Sequence, residues 1–518
     1  MKNEKPNRRE FLKLSAAGIA VMNFVKNTNA VENVLAETPL ELNESTAFEL
    51  QAGMKSGKFS SRMLVENYLQ RIREIDPKIN SVIEINPDAL LIAARMDRER
   101  GRGKVRSMLH GIPILIKDNI DTRDKLKTTA GSLALTAAPP PGRDAFIVAR
   151  LRKAGAVIIG KTNLSEWANF RSTKSISGWS GRGGQTNNPY ILDKNPCGSS
   201  AGTGAAVSAN LAAIGIGTET NGSIICPATR NGIVGIKPTL GLISRSGIIP
   251  IAHTQDTAGP MTRTVSDAAL LLGVLVGRDK RDATTADSVK GEPDYTKFLD
   301  ADGLRGARIG VARQFVGTDA KQKELFEANL EVLKSGGAIL TDINFTEDYG
   351  KMGDDRQLVL LYEFKTDLNK YLAERGGAYR TLADLIKFNE ENKARELPLF
   401  GQELFEQSQS KGDLTDKIYT DALSRIKRAA RENGIDAVIT KDKLDAIAAP
   451  AGGATWSIAA VAGYPYITVP AGFIDALPAG IGFFGRAFTE PQLIKIAYSF
   501  EQKTKARRAP QFLARSPA

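Results

Sequence analysis

The stretch Asn195-Pro-Cys-Gly-Ser-Ser-Ala-Gly-Thr-Gly204 leads into an alanine-rich segment, and Ile214-Gly-Ile-Gly-Thr-Glu-Thr-Asn-Gly-Ser-Ile-Ile-Cys-Pro227 leaves it. Ala201 to Ala213 reads as a helix entered from a small-residue loop. Ile214 to Gly217 reads as a short strand, and Thr218 to Gly222 as the turn beyond it. The same alternation recurs upstream. In Leu109-His-Gly-Ile-Pro-Ile-Leu-Ile-Lys-Asp-Asn119, Ile112 to Ile116 predicts a strand; Ala145 to Ala154 predicts a helix and Val157-Ile158-Ile159 another strand. Helices alternating with short apolar strands argue for an α/β chain with a buried sheet. No repeat or obvious linker divides it, so one large domain is expected.

Three residues in these segments have catalytic chemistry. Ser223 ends a glycine turn that can aim successive backbone N–H groups at one point. Thr220, Asn221 and Gly222 would then form an oxyanion hole next to a serine nucleophile. Ser199 sits in a small-residue loop at a helix start, where anionic groups are favoured. No Gly-Lys-Thr follows it and no Gly-x-Gly-x-x-Gly occurs there, so neither a phosphate loop nor a dinucleotide fingerprint is read. Lys117 closes an apolar run, and desolvation at a strand end would lower its pKa toward that of a general base. Taken singly, each has a plain alternative: a turn serine, a loop serine, an exposed strand-end lysine. Lys161, in Gly160-Lys161-Thr162-Asn163, competes with Lys117 and is read as structural or pocket-lining.

Composition narrows the field. The chain has 518 residues, and its two histidines leave little material for a Ser–His–Asp mechanism. Two cysteines and two distant histidines do not readily supply a zinc site, so no metal or cofactor is expected. Cys197 and Cys226 flank the candidate serines. They are read as two small buried thiols, with their pairing left open. The net charge of +12 is dispersed among acids, which argues against nucleic acid as a partner. No run is long and apolar enough to predict a membrane span. Residues 1–36 read as an export segment: Arg8-Arg9-Glu10-Phe11-Leu12-Lys13, a short apolar run, then small-residue sites ending at Ala30 or Ala36. The twin-arginine export machinery is thus an expected partner, and the periplasm or cell exterior the expected location. The sequence sets no oligomeric state.

Together these segments resemble the amidase signature family over nearly all of the chain after residue 40. The carrying motifs are Glu219-Thr220-Asn221-Gly222-Ser223-Ile224, Cys197-Gly198-Ser199-Ser200-Ala201-Gly202 and Gly111 to Asp118. Gly235-Ile236-Lys237-Pro238-Thr239 and Gln255-Asp256-Thr257-Ala258-Gly259-Pro260 fit as well. The resemblance implies an amidase domain over 37–518, built as a central mixed β-sheet covered by helices on both sides. It further implies a catalytic core at about 100–265, a helix-rich peripheral layer at about 320–435 and a return to the sheet at 436–518. It implies Ser223 as nucleophile, Ser199 on a cis peptide bond as proton relay, and Lys117 as terminal base. Within the family the likeness is to bacterial peptide amidases, which deaminate C-terminal peptide carboxamides. Alternatives are a broad small aliphatic or aryl amide amidase and a non-catalytic amide-binding member. Two departures fall near the pocket: Asn221 where the peptide amidase pattern has an acid, and a short 452–460 connection.

Overall fold

In a computed structural model, residues 42–345 and 352–515 are described, so the predicted export segment lies outside them. The strands are β1 (Val82–Ile85), β2 (Pro113–Lys117), β3 (Val157–Thr162), β4 (Trp179–Ser180), β5 (Gly184–Gln185), β6 (Ile214–Glu219), β7 (Val234–Lys237) and β8 (Thr257–Thr262). They continue as β9 (Arg308–Val311), β10 (Ile339–Asp342), β11 (Ala446–Pro450), β12 (Tyr466–Ile474) and β13 (Leu477–Phe484). Eleven of them make one sheet in the order β1-β3-β2-β6-β8-β7-β12-β13-β11-β9-β10; β4 and β5 form a separate hairpin. The sheet is mixed. β3, β2 and β6 are parallel neighbours, as are β11, β9 and β10, while the centre pairs antiparallel. Every residue of β2, β3, β6, β7, β8 and β11 is buried. Strands hidden on both faces need cover on both faces, which is why they read as continuous apolar runs. Residues 43 to 518 form one compact unit, a single large α/β domain.

Register places the candidate site. Ile116 of β2 stands opposite Ile216 of the parallel β6, so the two strands finish together, one at Lys117 and the other at Glu219. The carboxyl ends of parallel strands are where α/β sheets hold ligands. The helix Ala201–Ser208 lies against this end, and its small residues allow very close approach. A Cβ on Gly202 would come within 2.4 Å of the carbonyl oxygens of Asn163 and Ser81. One on Gly217 of β6 would meet Ser200 Oγ at 2.8 Å. Small residues on both surfaces let Ser200 reach the strand backbone.

Several local expectations shift. The alanine-rich helix stops at Ser208, and the strand after it extends through Glu219. Pro77 sits inside a helix that runs from Ser61 to Ile79. The buried Asp76 carboxylate there accepts from Ser81 and Val82 N–H groups beyond the helix end. The layer at 320–435 is mostly helical (Ala320–Ser335, Met352–Arg375, Leu382–Glu391, Lys417–Ala430), but β10 within it joins the sheet edge. The 452–460 connection is not a loop: Gly453–Ala462 is a helix. Part of the helical layer packs behind the site, where Phe364, Leu368, Leu385 and Phe405 share a core with Trp167 and Ala130.

Gly202→Ala should destabilise the fold by about 1–3 kcal/mol, because backbone carbonyls cannot yield as a side chain can. A thermal midpoint equal to wild type would remove this close approach from the account.

Candidate active site

Lys117 ends β2 with its side chain fully buried. Its Nζ donates to Ser199 Oγ at 2.7 Å, to Thr218 Oγ1 at 2.9 Å and to Thr218 O at 3.3 Å. Those bonds use all three ammonium hydrogens. Burial pushes its pKa down to about 7, against an upward pull from the charges of Glu219 and Asp256. Asn119 Nδ2 donates to the same Thr218 hydroxyl at 3.0 Å, so two donors fix that oxygen from both sides.

Ser199 follows a cis peptide bond from Gly198 and is completely buried. Its carbonyl accepts from Ser165 N at 3.0 Å. The next residue links the loops: Ser200 N donates to Ser223 O at 3.1 Å, and Ser200 Oγ donates to Thr218 O at 3.1 Å. The structure therefore brings Lys117, Ser199 and the Ser223 turn to one place. Lys161 is held elsewhere, donating to Ile120 O at 2.6 Å and Thr128 Oγ1 at 2.9 Å; burial pushes its pKa down to about 8. It supports the turn after Lys117, in keeping with its structural reading.

The Ser223 turn is held from beneath by Glu219. One oxygen of this buried carboxylate accepts from Ile224 N at 2.7 Å and Ile225 N at 3.0 Å, where the helix Ile225–Arg230 begins. Burial raises the Glu219 pKa, while the nearby Lys237 charge and these N–H groups, with Gly222 N–H, oppose that rise. Thr220 Oγ1 donates to Asp256 Oδ1 at 2.5 Å. Gly222 has φ +83°, and a Cβ there would strike the Trp456 indole at 2.5 Å. Among the described residues, Thr220, Asn221 and Ser223 spend no backbone N–H on a protein acceptor. Ser457 Oγ donates to Asn221 Oδ1 at 2.7 Å. Sequence reading missed Ser200, Thr218, Trp456 and Ser457. The first two lie inside the quoted motifs. The last two belong to a helix read as a loop.

The reading of Cys197 and Cys226 as free thiols is corrected: they are joined in a disulfide, with Cα atoms 5.8 Å apart. Cys197 lies just before Ser199, and Cys226 is in the helix just after Ser223. Bringing the serine loops together therefore brings the thiols within bonding range.

A cavity of about 450 Å³ adjoins the site. Its wall includes Asn119 and Thr218 to Thr220, the strand end before Ser223, but neither Ser199 nor Ser223. His253 stands on that wall with Asp367; His253 Nδ1 is 2.8 Å from Asp367 Oδ2 and 3.7 Å from Glu363 Oε2. This trio is the one cluster of metal-ligand types among the described residues. Its oxygens already accept from Thr254 N–H and hydroxyl, Tyr419 OH and His253 N–H.

A buried lysine and two serine loops, gathered at the carboxyl ends of parallel strands in an α/β sheet, define the candidate site. The Amidase family model matches residues 63–457, and the chain belongs to that family. It is an amidase, hydrolysing amide C–N bonds. It resembles the structure of peptide amidase from Stenotrophomonas maltophilia, with 48% identity, TM-score 0.88, and 92% of this chain and 100% of that one covered. It also resembles an amidase family protein from Bacillus anthracis, with 38% identity, TM-score 0.86, and 91% and 93% covered. An Arabidopsis thaliana protein named "Probable amidase" is 42% identical over 502 residues, covering 95% of this chain and 96% of that one.

The disulfide closes a span of 29 residues. Replacing both cysteines with serine should cost about 3–4 kcal/mol of stability. Wild type in reductant should melt near the double variant, and a midpoint indifferent to reductant would contradict the pairing.

Proposed function

We propose that this amidase hydrolyses C-terminal peptide carboxamides through a Ser223–Ser199–Lys117 relay. The observation that carries this is the 2.7 Å contact from Lys117 Nζ to Ser199 Oγ, made by a lysine whose burial lowers its pKa to about 7. A neutral Lys117 amine can take the Ser199 hydroxyl proton as Ser199 takes that of Ser223. Ser223 Oγ then bonds to the carboxamide carbon, and the carbonyl electron pair moves onto oxygen. The unspent N–H groups of Thr220, Asn221 and Ser223 supply the donors that this oxyanion needs, while the Gly222 N–H of the expected trio is turned to Glu219. Collapse breaks the C–N bond. The proton held on Lys117 returns through Ser199 to the leaving nitrogen, and ammonia departs. Water, deprotonated along the same path, attacks the acyl-Ser223 ester and releases the carboxylic acid.

The peptide-amide assignment draws on the likeness to peptide amidase. We further infer action in the periplasm or outside the cell by the twin-arginine route. The Arg8-Arg9 segment supports this, and so does the disulfide, since such bonds persist in oxidising compartments.

Amidated dipeptides should release ammonia, and a folded enzyme inert across peptide amides and benzamides would overturn the reading. Ser223→Ala should abolish labelling by a fluorophosphonate, and Lys117→Ala should slow turnover by about 10²–10⁴. Undiminished labelling of the serine variant removes Ser223 from its role. A lysine acts as base only when unprotonated, so kcat/KM should rise with pH through about 7. A flat profile from pH 5 to 9 would contradict Lys117 as the base.

A further inference from the structure

Arg356 lies in the helix Met352–Arg375 and donates from Nη1 to Ser457 Oγ at 3.0 Å. Ser457 passes its own hydrogen to Asn221 Oδ1, two residues before Ser223. The chain Arg356 to Ser457 to Asn221 runs in one direction. An arginine only donates, so Ser457 accepts from it and gives its proton onward. Asn221 therefore turns its carbonyl oxygen to Ser457 and its NH2 away. That Nδ2 is buried and has no hydrogen-bond partner among the described residues. Buried polar atoms are nearly always satisfied, so this orphan donor two residues from Ser223 is available to a further acceptor, water or ligand.

Arg356 is in the same situation. Its neighbour Asp355 is bonded to Arg425, at 2.7 Å through both oxygens. Arg356 itself forms no ion pair among the described residues, and most of its five N–H donors remain unspent. Arg356, Asn221 and Trp456 all keep some solvent exposure, whereas Lys117 and Ser199 have none. This side of the Ser223 turn carries a cation and an amide donor, and no carboxylate among the described residues answers them. An acid at position 221 would neutralise Arg356 through Ser457; asparagine leaves the charge available.

We propose that Arg356 and Asn221 recognise an anionic group on the acyl part of the substrate. The preferred substrates are then carboxamides whose acyl portion carries a carboxylate, such as peptide amides ending in Asp or Glu. The guanidinium fork suits a carboxylate, and the Asn221 NH2 would take a second acceptor oxygen. This inference rests on the amide-hydrolysis reading of the Ser223 site and adds its substrate class.

The test compares N-acetyl-glutamyl amide with the similarly sized neutral N-acetyl-methionyl amide. The ratio of kcat/KM values divides out any general loss of activity. Wild type should favour the glutamyl amide by about tenfold or more, as expected of one desolvated charge-assisted contact. Arg356→Met and Asn221→Asp should bring the ratio to about one, and Arg356→Lys should retain part of it. A wild-type ratio of one, or an undiminished ratio in Arg356→Met, overturns the proposal. Titration of N-acetylglutamate against N-acetylmethionine into Ser223→Ala separates binding from chemistry. Glutamate preference that depends on Arg356 supports the site even if neither amide is cleaved, an outcome that would sink only the hydrolysis reading. Equal binding of the two overturns the site.

Discussion

A lysine ammonium with no solvent contact is the constraint around which this end of the sheet is arranged. An isolated charge in a protein interior is costly, and the group escapes the cost by finding acceptors or by losing its proton. Lys117 has both routes. Three oxygens from Ser199 and Thr218 surround it, and burial brings its pKa to about 7. Small residues nearby let these acceptor oxygens come so close. Gly217 lets Ser200 reach the β6 backbone, and Gly202 lets the helix Ala201–Ser208 lie on the carbonyls of Ser81 and Asn163.

The Ser223 turn is fixed by a different set of forces. Glu219 anchors it through N–H groups at the start of a helix, where an anion is favoured. Thr220 ties to Asp256, the Trp456 ring covers Gly222, and Ser457 takes hold of Asn221. The disulfide adds a covalent tie between the two serine loops. Sites held by several independent contacts keep their donors in place, which is what stabilising charge in a transition state requires.

Much of this was legible in the chain. Ile112 to Ile116 and Val157 to Ile159 read as strands because burial on both faces writes continuous apolar runs. The serine loops and Lys117 stood out through their motifs. The pairing of Cys197 with Cys226 was not legible, since nothing in a separation of 29 residues fixes the distance between two thiols. Nor was the helix at Gly453–Ala462. Its leading Gly453 weakens local helix propensity, and buried contacts of Thr455, Ile458 and Ala459 supply what propensity does not. Missing that helix hid Trp456 and Ser457. Arg356 was invisible for a related reason: its helix reads as a peripheral layer, and only the fold carries its guanidinium to Ser457.

The two histidines sharpen the assignment of the base. His110 is wholly buried, with Nε2 against Met96 O at 2.9 Å and Nδ1 facing Arg106 N at 3.4 Å. Burial lowers its pKa, and both ring nitrogens are engaged by backbone atoms rather than by a serine. His253 has an acidic partner in Asp367, the pairing a Ser–His–Asp site would need. Burial opposes protonation there, but the bond to Asp367 and the charges of Glu363 and Asp367 leave its pKa raised. A raised pKa makes His253 the stronger base but leaves less of it unprotonated at a given pH. The one serine on its cavity wall, Ser246, is directed at Asp279 instead. Among the described residues, Lys117 is thus the titratable group that touches a serine of the two loops and has its pKa brought near neutrality by burial alone. In the proposed relay a desolvated lysine does what an imidazole does elsewhere, without needing a carboxylate to orient it.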